Sequence, residues 1–270
     1  MRTVIDALPG SDEWLERLLE HEAAYYRFGA VCERTPTAWL LSCESLPNFH
    51  DCHRAFHLRD DGRGADTAAR ETLTCLKGRA GRAVADIDPV AECQGIGREL
   101  RKLGMEPSSA SFPLLYYPPV EPPSVPNGQI EVIEINPMDS EVETWISMQI
   151  VDEREEQDRV FWKSVAEMEA RSGMCRLFLA KINGEPAGAC DQFSADGWGR
   201  IDSVITHPRW RRKGVATSLV IHAVNESIQS GCRFTYLFTR SGSDAERLYL
   251  QLGFVKAPIL PIRRHFWGGR

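Results

Sequence analysis

The sequence lacks the features that mark membrane, secreted and nucleic-acid-binding proteins. No run among its 270 residues approaches the roughly 20 apolar residues of a membrane span. The first residues, MRTVIDALPGSDEW, contain no apolar core of an export signal. The net charge of −6 disfavours a general nucleic-acid binder, which normally carries a basic face. These absences predict a soluble, cytoplasmic protein with no nucleic-acid or membrane partner.

Disulfide and zinc patterns are absent as well. The eight cysteines contain no Cys-x-x-Cys pair, so we expect them to be reduced and mostly buried. One metal-like cluster is present, formed by His50, Cys52, His53 and His57. Its spacing matches no zinc pattern, so packing and surface roles are the favoured interpretation and no metal site is predicted.

A proline-rich segment divides the chain. Residues 118–126 contain five prolines, which fit neither a helix interior nor a central strand, so they predict an extended linker. The linker separates an N-terminal domain over residues 1–117 from a C-terminal domain over residues 127–270. With 43% hydrophobic and 26% charged residues, the composition is that of globular domains.

The C-terminal domain shows a regular alternation of strand and helix patterns. Asn183-Gly184 and Asp196-Gly197 are strong signals for two-residue hairpins. The pattern predicts the order β-α-α-β-β-β-α-β-α-β, which is an α/β (α+β) fold with a mixed, mostly antiparallel sheet and helices on both faces. The predicted strands are 129–135, 176–182, 186–195, 199–206, 234–239 and 259–266, and the predicted helices are 140–153, 155–171, 215–230 and 244–252.

The N-terminal domain is a smaller α/β domain. Its predicted helices are 13–26, 65–77 and 90–103, and its predicted strands are 38–43, 83–87 and 112–117. The strand–helix–strand unit over residues 83–117 echoes the strand–helix–strand unit of the C-terminal domain. This echo suggests a degenerate internal duplication.

One turn in the C-terminal domain has the chemistry of an anion site. A strand ends before Pro208, a basic turn follows, and a helix begins on small residues. Backbone N–H groups at a helix N-terminus have no intrahelical partners and lie at the positive end of the helix dipole. Gly214 lets the backbone approach a phosphate, and neighbouring basic side chains add positive charge. On its own, such a turn is equally typical of a purely structural connection.

The flanking residues resemble the GNAT superfamily of N-acetyltransferases. That family's signature, Gln/Arg-x-x-Gly-x-Gly/Ala, is met by residues 211–216 at a strand-to-helix junction. A second family element, an Ala followed by Leu-Tyr and Gly-Phe, is met by Ala245, Leu248-Tyr249 and Gly253-Phe254. The resemblance covers about residues 127–270, and the N-terminal domain is expected to be a degenerate copy of the same fold. One departure is Gly242, where the family often has Asn.

The resemblance implies a role for each matching residue. Acetyl-CoA is the expected cofactor, with its pantetheine arm on a splayed strand and its pyrophosphate on the loop amides. Tyr249 matches the tyrosine that protonates the departing CoA thiolate. The implied cofactor-binding residues are Val204, Ile205, Thr206, Arg211, Arg212, Lys213, Gly214, Val215, Ala216 and Thr217.

Two aspartates are candidates for the remaining chemistry. The turn Asp196-Gly197 fixes a register in which Asp191 faces Asp202, on the same face as Val204 and Thr206. Buried near the cofactor, one of them would have a raised pKa and act as general base, or the pair would bind the ammonium group of the acceptor. The alternative is a pair of solvated aspartates. Asp202 is preferred because its strand flanks the cofactor.

The predicted function is transfer of an acetyl group from acetyl-CoA to a primary amine of a small molecule or peptide, by direct attack. Cys190 neighbours the site, but nothing nearby lowers its pKa, which argues against an acyl-cysteine intermediate. The acidic run at residues 152–158 would attract a cationic acceptor, although complementing a helix dipole is the favoured interpretation. A catalytically inactive acyl-CoA sensor or scaffold is the alternative function.

Overall fold

The computed structural model describes residues 8–47, 49–78, 82–90, 93, 95–118, 129–153 and 155–268. These residues form two compact units. The C-terminal unit consists of the described parts of Leu115–Phe238 and Asp244–Lys256. The N-terminal unit consists of those of Ala7–Leu114, Thr239–Ser243 and Ala257–Arg270. Of the predicted linker, all residues after Pro118 lie outside the described part of the chain.

Helices and strands alternate along the chain, with a 3₁₀ turn at Pro208–Trp210. In chain order they are α1 (Asp12–Tyr25), β1 (Val31–Arg34), β2 (Trp39–Ser42), β3 (Arg54–Leu58), α2 (Ala65–Lys77), β4 (Ala83–Ile87), α3 (Ile96–Lys102), β5 (Glu106–Pro107), β6 (Leu114–Tyr117), β7 (Ile130–Ile135), α4 (Glu141–Gln149), α5 (Glu156–Arg171), β8 (Arg176–Ile182), β9 (Glu185–Ala195), β10 (Trp198–Thr206), α6 (Val215–Gln229), β11 (Phe234–Phe238), α7 (Asp244–Gln251), β12 (Val255–Lys256) and β13 (Arg263–Trp267).

The C-terminal unit contains a seven-stranded sheet with the order β12-β6-β11-β10-β9-β8-β7. Strands β7 to β10 pair antiparallel in succession, whereas β10 and β11 are parallel. Both residues of the turns Asn183-Gly184 and Asp196-Gly197 have positive φ, as tight hairpins require. The prediction of a mixed, mostly antiparallel sheet is confirmed.

Different helices cover the two faces of this sheet. Gln192 Nε2 donates to Ser227 Oγ of α6 over 2.5 Å. The neighbouring Asp191 lies against Glu169 of α5. Because successive strand residues point to opposite faces, α5 and α6 lie on opposite sides. The core on the α6 side contains the buried residues Phe178, Ile201, Leu219, Val220, Val224 and Leu237.

The N-terminal unit contains a six-stranded sheet with the order β1-β2-β3-β4-β13-β5. Strands β3 and β4 are parallel and are joined by α2, just as β10 and β11 are parallel and joined by α6. The predicted echo used β4, α3 and β6; β6 lies in the other sheet, just as β13, which follows α7, lies in the sheet of the N-terminal unit. The unit β3-α2-β4 matches β10-α6-β11 in addition. Its first strand was not predicted, because Arg54–Leu58 is buried throughout and shows no polar alternation.

A buried ion cluster lies in the sheet of the N-terminal unit. Arg54 Nε is 2.6 Å from Asp86 Oδ2, and Arg264 donates to Asp86 Oδ1 over 2.9 Å and to Asp51 Oδ1 over 2.8 Å. Burial alone would raise the pKa of Asp86, but Arg264 and Arg54 outweigh it and hold the pKa below its ordinary value. The cluster explains how three charged side chains remain in this core.

Two strands complete the sheet of the opposite half of the sequence. β6, which precedes the proline-rich segment, lies between β12 and β11, and β13 lies between β4 and β5. The predicted final strand of the C-terminal sheet, at residues 259–266, is therefore wrong in its sheet. Arg264 gives the physical reason, since its carboxylate partners Asp86 and Asp51 are in the N-terminal unit. The predicted division at residues 117 and 127 differs from the structural units in these strands.

Some helix lengths differ from those predicted. α4 ends at Gln149 rather than at residue 153, and α3 begins at Ile96 rather than at residue 90; residues 91, 92 and 94 lie outside the described part. Helices α2, α5, α6 and α7 lie within a residue of their predicted positions. Among the described residues, no helix is both long enough and apolar enough to span a membrane.

Candidate active site

Hydrogen bonds and unusual φ angles define the conformation of the loop between β10 and α6. The amide of His207 donates to the carbonyl of Ala187 over 3.0 Å, and its Nδ1 accepts from the amide of Arg209. Gly214 caps α6 with φ +90°, and Arg212 also has a positive φ, +64°. A left-handed residue with a side chain is uncommon, so the loop holds a defined, strained conformation.

The amides of this loop point away from intramolecular acceptors. Within the described part of the chain, the backbone amides of Arg212, Lys213 and Gly214 donate no hydrogen bond. The side chain of Arg211 pairs with Asp152, and Lys213 Nζ lies 4.5 Å from the ring centroid of Trp210. Unsatisfied amides beside cationic side chains form a concave site for an anion. The predicted anion-binding residues thus lie together at one helix N-terminus.

Gly188 brings the strand β9 against the start of α6. A Cβ atom at this position would lie 2.5 Å from the carbonyl oxygen of Ile205 and 2.6 Å from Val215 Cγ1. Real Cβ atoms do not approach other atoms so closely, so only glycine permits this contact. The contact fixes the first residue of α6 against the end of β10, and with it the loop between them.

Strands β10 and β11 separate before the loop. Their pairing is confined to Trp198, Gly199 and Arg200, and the described residues show no pair between the two strands from Ile201 onward. β10 continues to Thr206 along β9, so the edge of Val204, Ile205 and Thr206 that faces β11 is open. An open strand edge offers N–H and C=O groups to an extended ligand. The splayed geometry that the resemblance implied is present.

A bulge in β10 changes which residues share a face. The pairing shifts between Asp202, opposite Asp191, and Ile205, opposite Ala189, and Ser203 in between has φ +53°. The extra residue shifts the alternation by one position. Asp202 therefore shares its face with Ile205, and the predicted grouping with Val204 and Thr206 is wrong. Val204 packs against the core on the α6 side instead.

Tyr249 lies on α7 and belongs to the second family element. Its ring centroid is 5.9 Å from that of Phe254, which is buried, and Gly253 between them ends the helix with φ +98°. Burial raises the pKa of Tyr249, and Asp202 and Cys190 raise it further. A phenol with a raised pKa keeps its proton at neutral pH and remains a proton donor.

Gly242 occupies the position where the family often has Asn. It has φ +74°, a conformation that glycine and asparagine adopt more readily than other residues. Two neighbouring polar side chains, Ser243 and Asp244, are engaged locally. Ser243 Oγ is 3.3 Å from Thr239 Oγ1, and Asp244 pairs with Arg247.

Asp191 and Asp202 are opposed across the hairpin, as the register predicted. Burial raises the pKa of Asp191 well above its ordinary value, and the carboxylates of Glu169 and Asp202 raise it further, while Arg200 lowers it. Asp191 is 0% exposed, whereas the side chain of Asp202 is 42% exposed and pairs with Arg200. Only Asp202 is accessible to a ligand.

The other two candidates, Cys190 and the acidic run at residues 152–158, have environments typical of structural residues. Burial and Asp191 raise the pKa of Cys190 well above its ordinary value, which disfavours the thiolate that an acyl-cysteine intermediate needs. Glu155 precedes α5, and Glu156 and Asp158 lie in its first turn, where negative charge complements the dipole. Arg154 of the same run lies outside the described residues.

Two histidines of the metal-like cluster, His53 and His57, have local partners, whereas the side chain of His50 lies outside the described part of the structure. His53 Nε2 is 3.1 Å from the carbonyl oxygen of Leu46, and His57 Nδ1 is 2.7 Å from Asp88 Oδ2. Both residues flank or lie in β3, so the helical spacing that would bring them together is absent. Burial lowers the pKa of His53, although backbone hydrogen bonds oppose this.

A second strand-to-helix loop was missed in the sequence. Residues 59–64, RDDGRG, fit the same pattern as residues 211–216 and connect β3 to α2. Gly64 precedes the helix with φ +102°, and Gly62 has φ +94°. Asp60 Oδ1 accepts hydrogen bonds from the amides of Gly62, over 2.9 Å, and Gly64, over 2.8 Å. A side-chain carboxylate of the protein fills this loop.

The sequence of the C-terminal unit matches a known family. Residues 140–254 match the model of the Acetyltransferase (GNAT) family. No curated protein sequence matches the chain. The chain therefore contains a GNAT acetyltransferase domain, and its class of activity is acyl-CoA-dependent acyl transfer.

Solved structures extend the fold over both units. A GCN5-related N-acetyltransferase from Kribbella flavida has a TM-score of 0.69 at 18% identity, covering 98% of each chain. A GCN5-related N-acetyltransferase from Sphaerobacter thermophilus has a TM-score of 0.59 at 17% identity, covering 87% of this chain and 81% of that one. A tandem GNAT protein from the clavulanic acid biosynthesis pathway has a TM-score of 0.57 at 13% identity, covering 97% of each chain. The N-terminal unit thus belongs to a two-unit fold of this kind.

Proposed function

We propose that the C-terminal unit transfers the acetyl group of acetyl-CoA to a primary amine of a small molecule or peptide. The observation that carries the proposal is the open N-terminus of α6, where the amides of Arg212, Lys213 and Gly214 have no intramolecular acceptor. Backbone amides and cationic side chains at a helix N-terminus suit a pyrophosphate. The open edge of β10 at Val204–Thr206 would hold the pantetheine arm by strand-like hydrogen bonds.

The chemistry follows from the side chains at the splay. The neutral amine attacks the thioester carbonyl carbon, and the C–S bond breaks. Tyr249, whose raised pKa keeps it protonated, donates its proton to the departing thiolate. The proton of the attacking amine passes to Asp202 or to water held by it, because Asp202 is the exposed carboxylate. Before attack, the same carboxylate attracts the ammonium form of the acceptor.

Asp191 acts through Asp202 rather than on the acceptor directly. Asp191 is fully buried on β9, and its raised pKa favours the neutral acid. A neutral Asp191 exerts no charge repulsion across the pair. We therefore assign Asp202 to the acceptor and Asp191 to positioning.

The test combines an acceptor panel with one conservative substitution. The full chain is incubated with acetyl-CoA and spermidine, kanamycin, lysine or an unblocked peptide, and CoA is quantified by chromatography. Tyr249→Phe should lower kcat about 100-fold, the typical contribution of a general acid, while the acetyl-CoA Kd stays unchanged. Tyr117→Phe is the matched control, because it removes the hydroxyl of another buried tyrosine in the same unit.

Two outcomes would count against this function. If Tyr249→Phe weakens acetyl-CoA binding and leaves kcat intact, Tyr249 has a packing role. If acetyl-CoA binds but no amine releases CoA, the chain is an acyl-CoA sensor or scaffold. That alternative is not favoured, because the acetyltransferase domain retains both the open loop and the tyrosine.

A further inference from the structure

A cavity of about 270 Å³ opens in the N-terminal unit. It lies between α3, β13 and the segment Pro107–Ser111, which begins with the last residue of β5. All of its lining residues belong to the N-terminal unit. Gly97 permits α3 to lie close to β13, since a Cβ atom there would be 3.2 Å from the imidazole of His265. The cavity is therefore built by this fold and uses none of the residues assigned to acetyl transfer.

The wall of the cavity carries positive charge without acidic residues. Arg98, Arg101, Arg263 and Arg264 line it, and no lining residue is Asp or Glu. Arg264 is committed to Asp86 and Asp51. Neither Arg98 nor Arg101 forms an ion pair with any residue that the structure describes. A concave wall with charge of one sign concentrates ligands of the opposite sign.

A buried histidine also faces this space. His265 is 5% exposed, and its Nδ1 has no hydrogen-bond partner among the described residues. Burial lowers its pKa, and the charges of Arg101 and Arg263 lower it further. A buried polar nitrogen without a partner is unfavourable unless water or a ligand completes it. An anion in the cavity would supply that partner and offset the repulsion from the arginines.

Hydroxyl groups complete the polar wall. Ser108, Ser109 and Ser111 come from one segment that is held at both ends. The amide of Ser108 donates to the carbonyl of Arg264 over 2.8 Å, and the carbonyl of Ser111 accepts from the amide of Ser241 over 2.9 Å. The hydroxyls are thus presented from a fixed backbone, which limits the entropy lost when a ligand binds.

We propose that this cavity binds a small metabolite carrying oxyanion groups, either a phosphate monoester or a polycarboxylate. Arginine guanidinium groups pair with both through parallel N–H···O bonds, and serine hydroxyls add donors. The volume suits a ligand at the small end of the usual range for such pockets, roughly 300 Å³, and excludes a whole acyl-CoA. The N-terminal unit thereby has a ligand of its own.

Isothermal titration of the full chain tests the proposal, with glucose 6-phosphate, citrate and uncharged glucose as probes. At least one anion should bind saturably and glucose should not. The double variant Arg98→Gln/Arg101→Gln should weaken that binding about 10-fold or more, because two charge-assisted contacts are lost. Arg27→Gln/Arg82→Gln is the matched control, since it removes the same charge from exposed positions outside the cavity.

The two anions distinguish the sources of the oxyanion. Binding of glucose 6-phosphate alone identifies a phosphate site, binding of citrate alone identifies a carboxylate site, and binding of both supports the shared chemistry. The proposal is overturned if neither anion binds saturably, or if both double variants weaken binding equally. Acetyl-CoA affinity is measured in parallel and should be the same in all variants, which separates this cavity from the acyl-transfer site.

Discussion

The two strand-to-helix loops share a pattern of positive φ angles and have opposite chemistry. In each loop the residue before the helix and the residue two positions earlier have positive φ: Gly64 and Gly62 before α2, Gly214 and Arg212 before α6. In the first loop the amides of those two positions bind the carboxylate of Asp60. In the second they have no acceptor within the described chain. In the first loop a single acidic side chain occupies the amides that a ligand would otherwise contact.

The surroundings of the two loops differ in the same sense. The first carries Asp60 and Asp61, and its Arg63 is paired with Asp61 and Glu71. The second carries Arg211, Arg212 and Lys213 in a row. The helix α7 contributes Tyr249, whereas α3, IGRELRK, contains no tyrosine. The N-terminal unit therefore has neither the open loop nor the tyrosine that we propose for acyl transfer in the C-terminal unit.

The largest expected effect comes from placing the same side chain in both loops. Gly214→Val should abolish acetyl-CoA binding, a loss of about 100-fold or more, because a β-branched residue resists φ +90° and would displace the loop amides. Gly64→Val also places a β-branched residue at a positive φ, +102° with ψ 147°, but in the closed loop, and should leave the acetyl-CoA Kd unchanged. Isothermal titration gives both affinities.

Thermal denaturation of these two variants provides the control. Both should lower the stability of the chain, by about 1–3 kcal/mol, since each forces a β-branched side chain onto a positive φ. Equal loss of acetyl-CoA affinity in the two variants would remove the distinction between the loops. Unaltered affinity in Gly214→Val would remove the assignment of the cofactor site.

Buried carboxyls give a second contrast, with opposite pKa shifts. Arg264 and Arg54 overcome the effect of burial and hold the pKa of Asp86 below its ordinary value, whereas burial raises that of Asp191. Asp86→Asn should destabilise the chain by about 3 kcal/mol at pH 7, because it removes the carboxylate that two buried guanidinium groups share. Asp191→Asn should instead raise the free energy of unfolding at pH 7, because it removes a carboxyl that burial disfavours in its charged form.

The two substitutions should also differ in how their effects on stability change with pH. A depressed pKa contributes stability above the pKa of the unfolded carboxyl, about 3.9, and loses it as the pH falls through the folded value. The effect of Asp86→Asn should therefore shrink below about pH 4. A raised pKa lowers stability as the pH rises above the unfolded value, so the benefit of Asp191→Asn should grow with pH. Denaturant unfolding from pH 3 to 8 measures both, and parallel profiles would contradict the assignment.

The smallest expected effect is that of opening the closed loop. Asp60→Ala removes the acceptor of two backbone amides and should lower stability by about 1 kcal/mol, the usual value for loss of a cap. We expect one acetyl-CoA per chain both before and after this substitution, because Asp61 and the Arg63 pairs remain. Titration stoichiometry measures this, and a second binding event in the variant would show that Asp60 alone closes the loop.

Much of the C-terminal unit could be predicted from its sequence because its signals are local. Asn183-Gly184 and Asp196-Gly197 define two hairpins, and the second fixes the opposition of Asp191 and Asp202. The bulge at Ser203 was not predicted, since no glycine marks it and its left-handed φ depends on the packing of Val204 and Ile205 on opposite faces. Which residues share a face with Asp202 therefore could not be predicted from the sequence.

The N-terminal unit was less predictable because its signals are long-range. β3 is buried on both faces and carries Arg54 and His57, whose partners Asp86 and Asp88 lie in or next to a neighbouring strand. Charged residues in a sequence normally indicate an exposed segment, and only the distant partners reverse that expectation. The repeated glycine pattern at residues 59–64 was visible in the sequence, and comparing it with residues 211–216 would have found the duplicated β-α-β unit.

The placement of β13 has a consequence for how the chain folds. Its Arg264 meets Asp86 across 178 residues of sequence. During synthesis, β4 therefore emerges long before β13, because the whole acetyltransferase domain is translated between them. Contacts of such high sequence separation form slowly, because a long loop must close first. The N-terminal unit, although translated first, is therefore completed last. Until β13 is made, the edge of β4 that pairs with it is exposed, and such an edge is a target for chaperones.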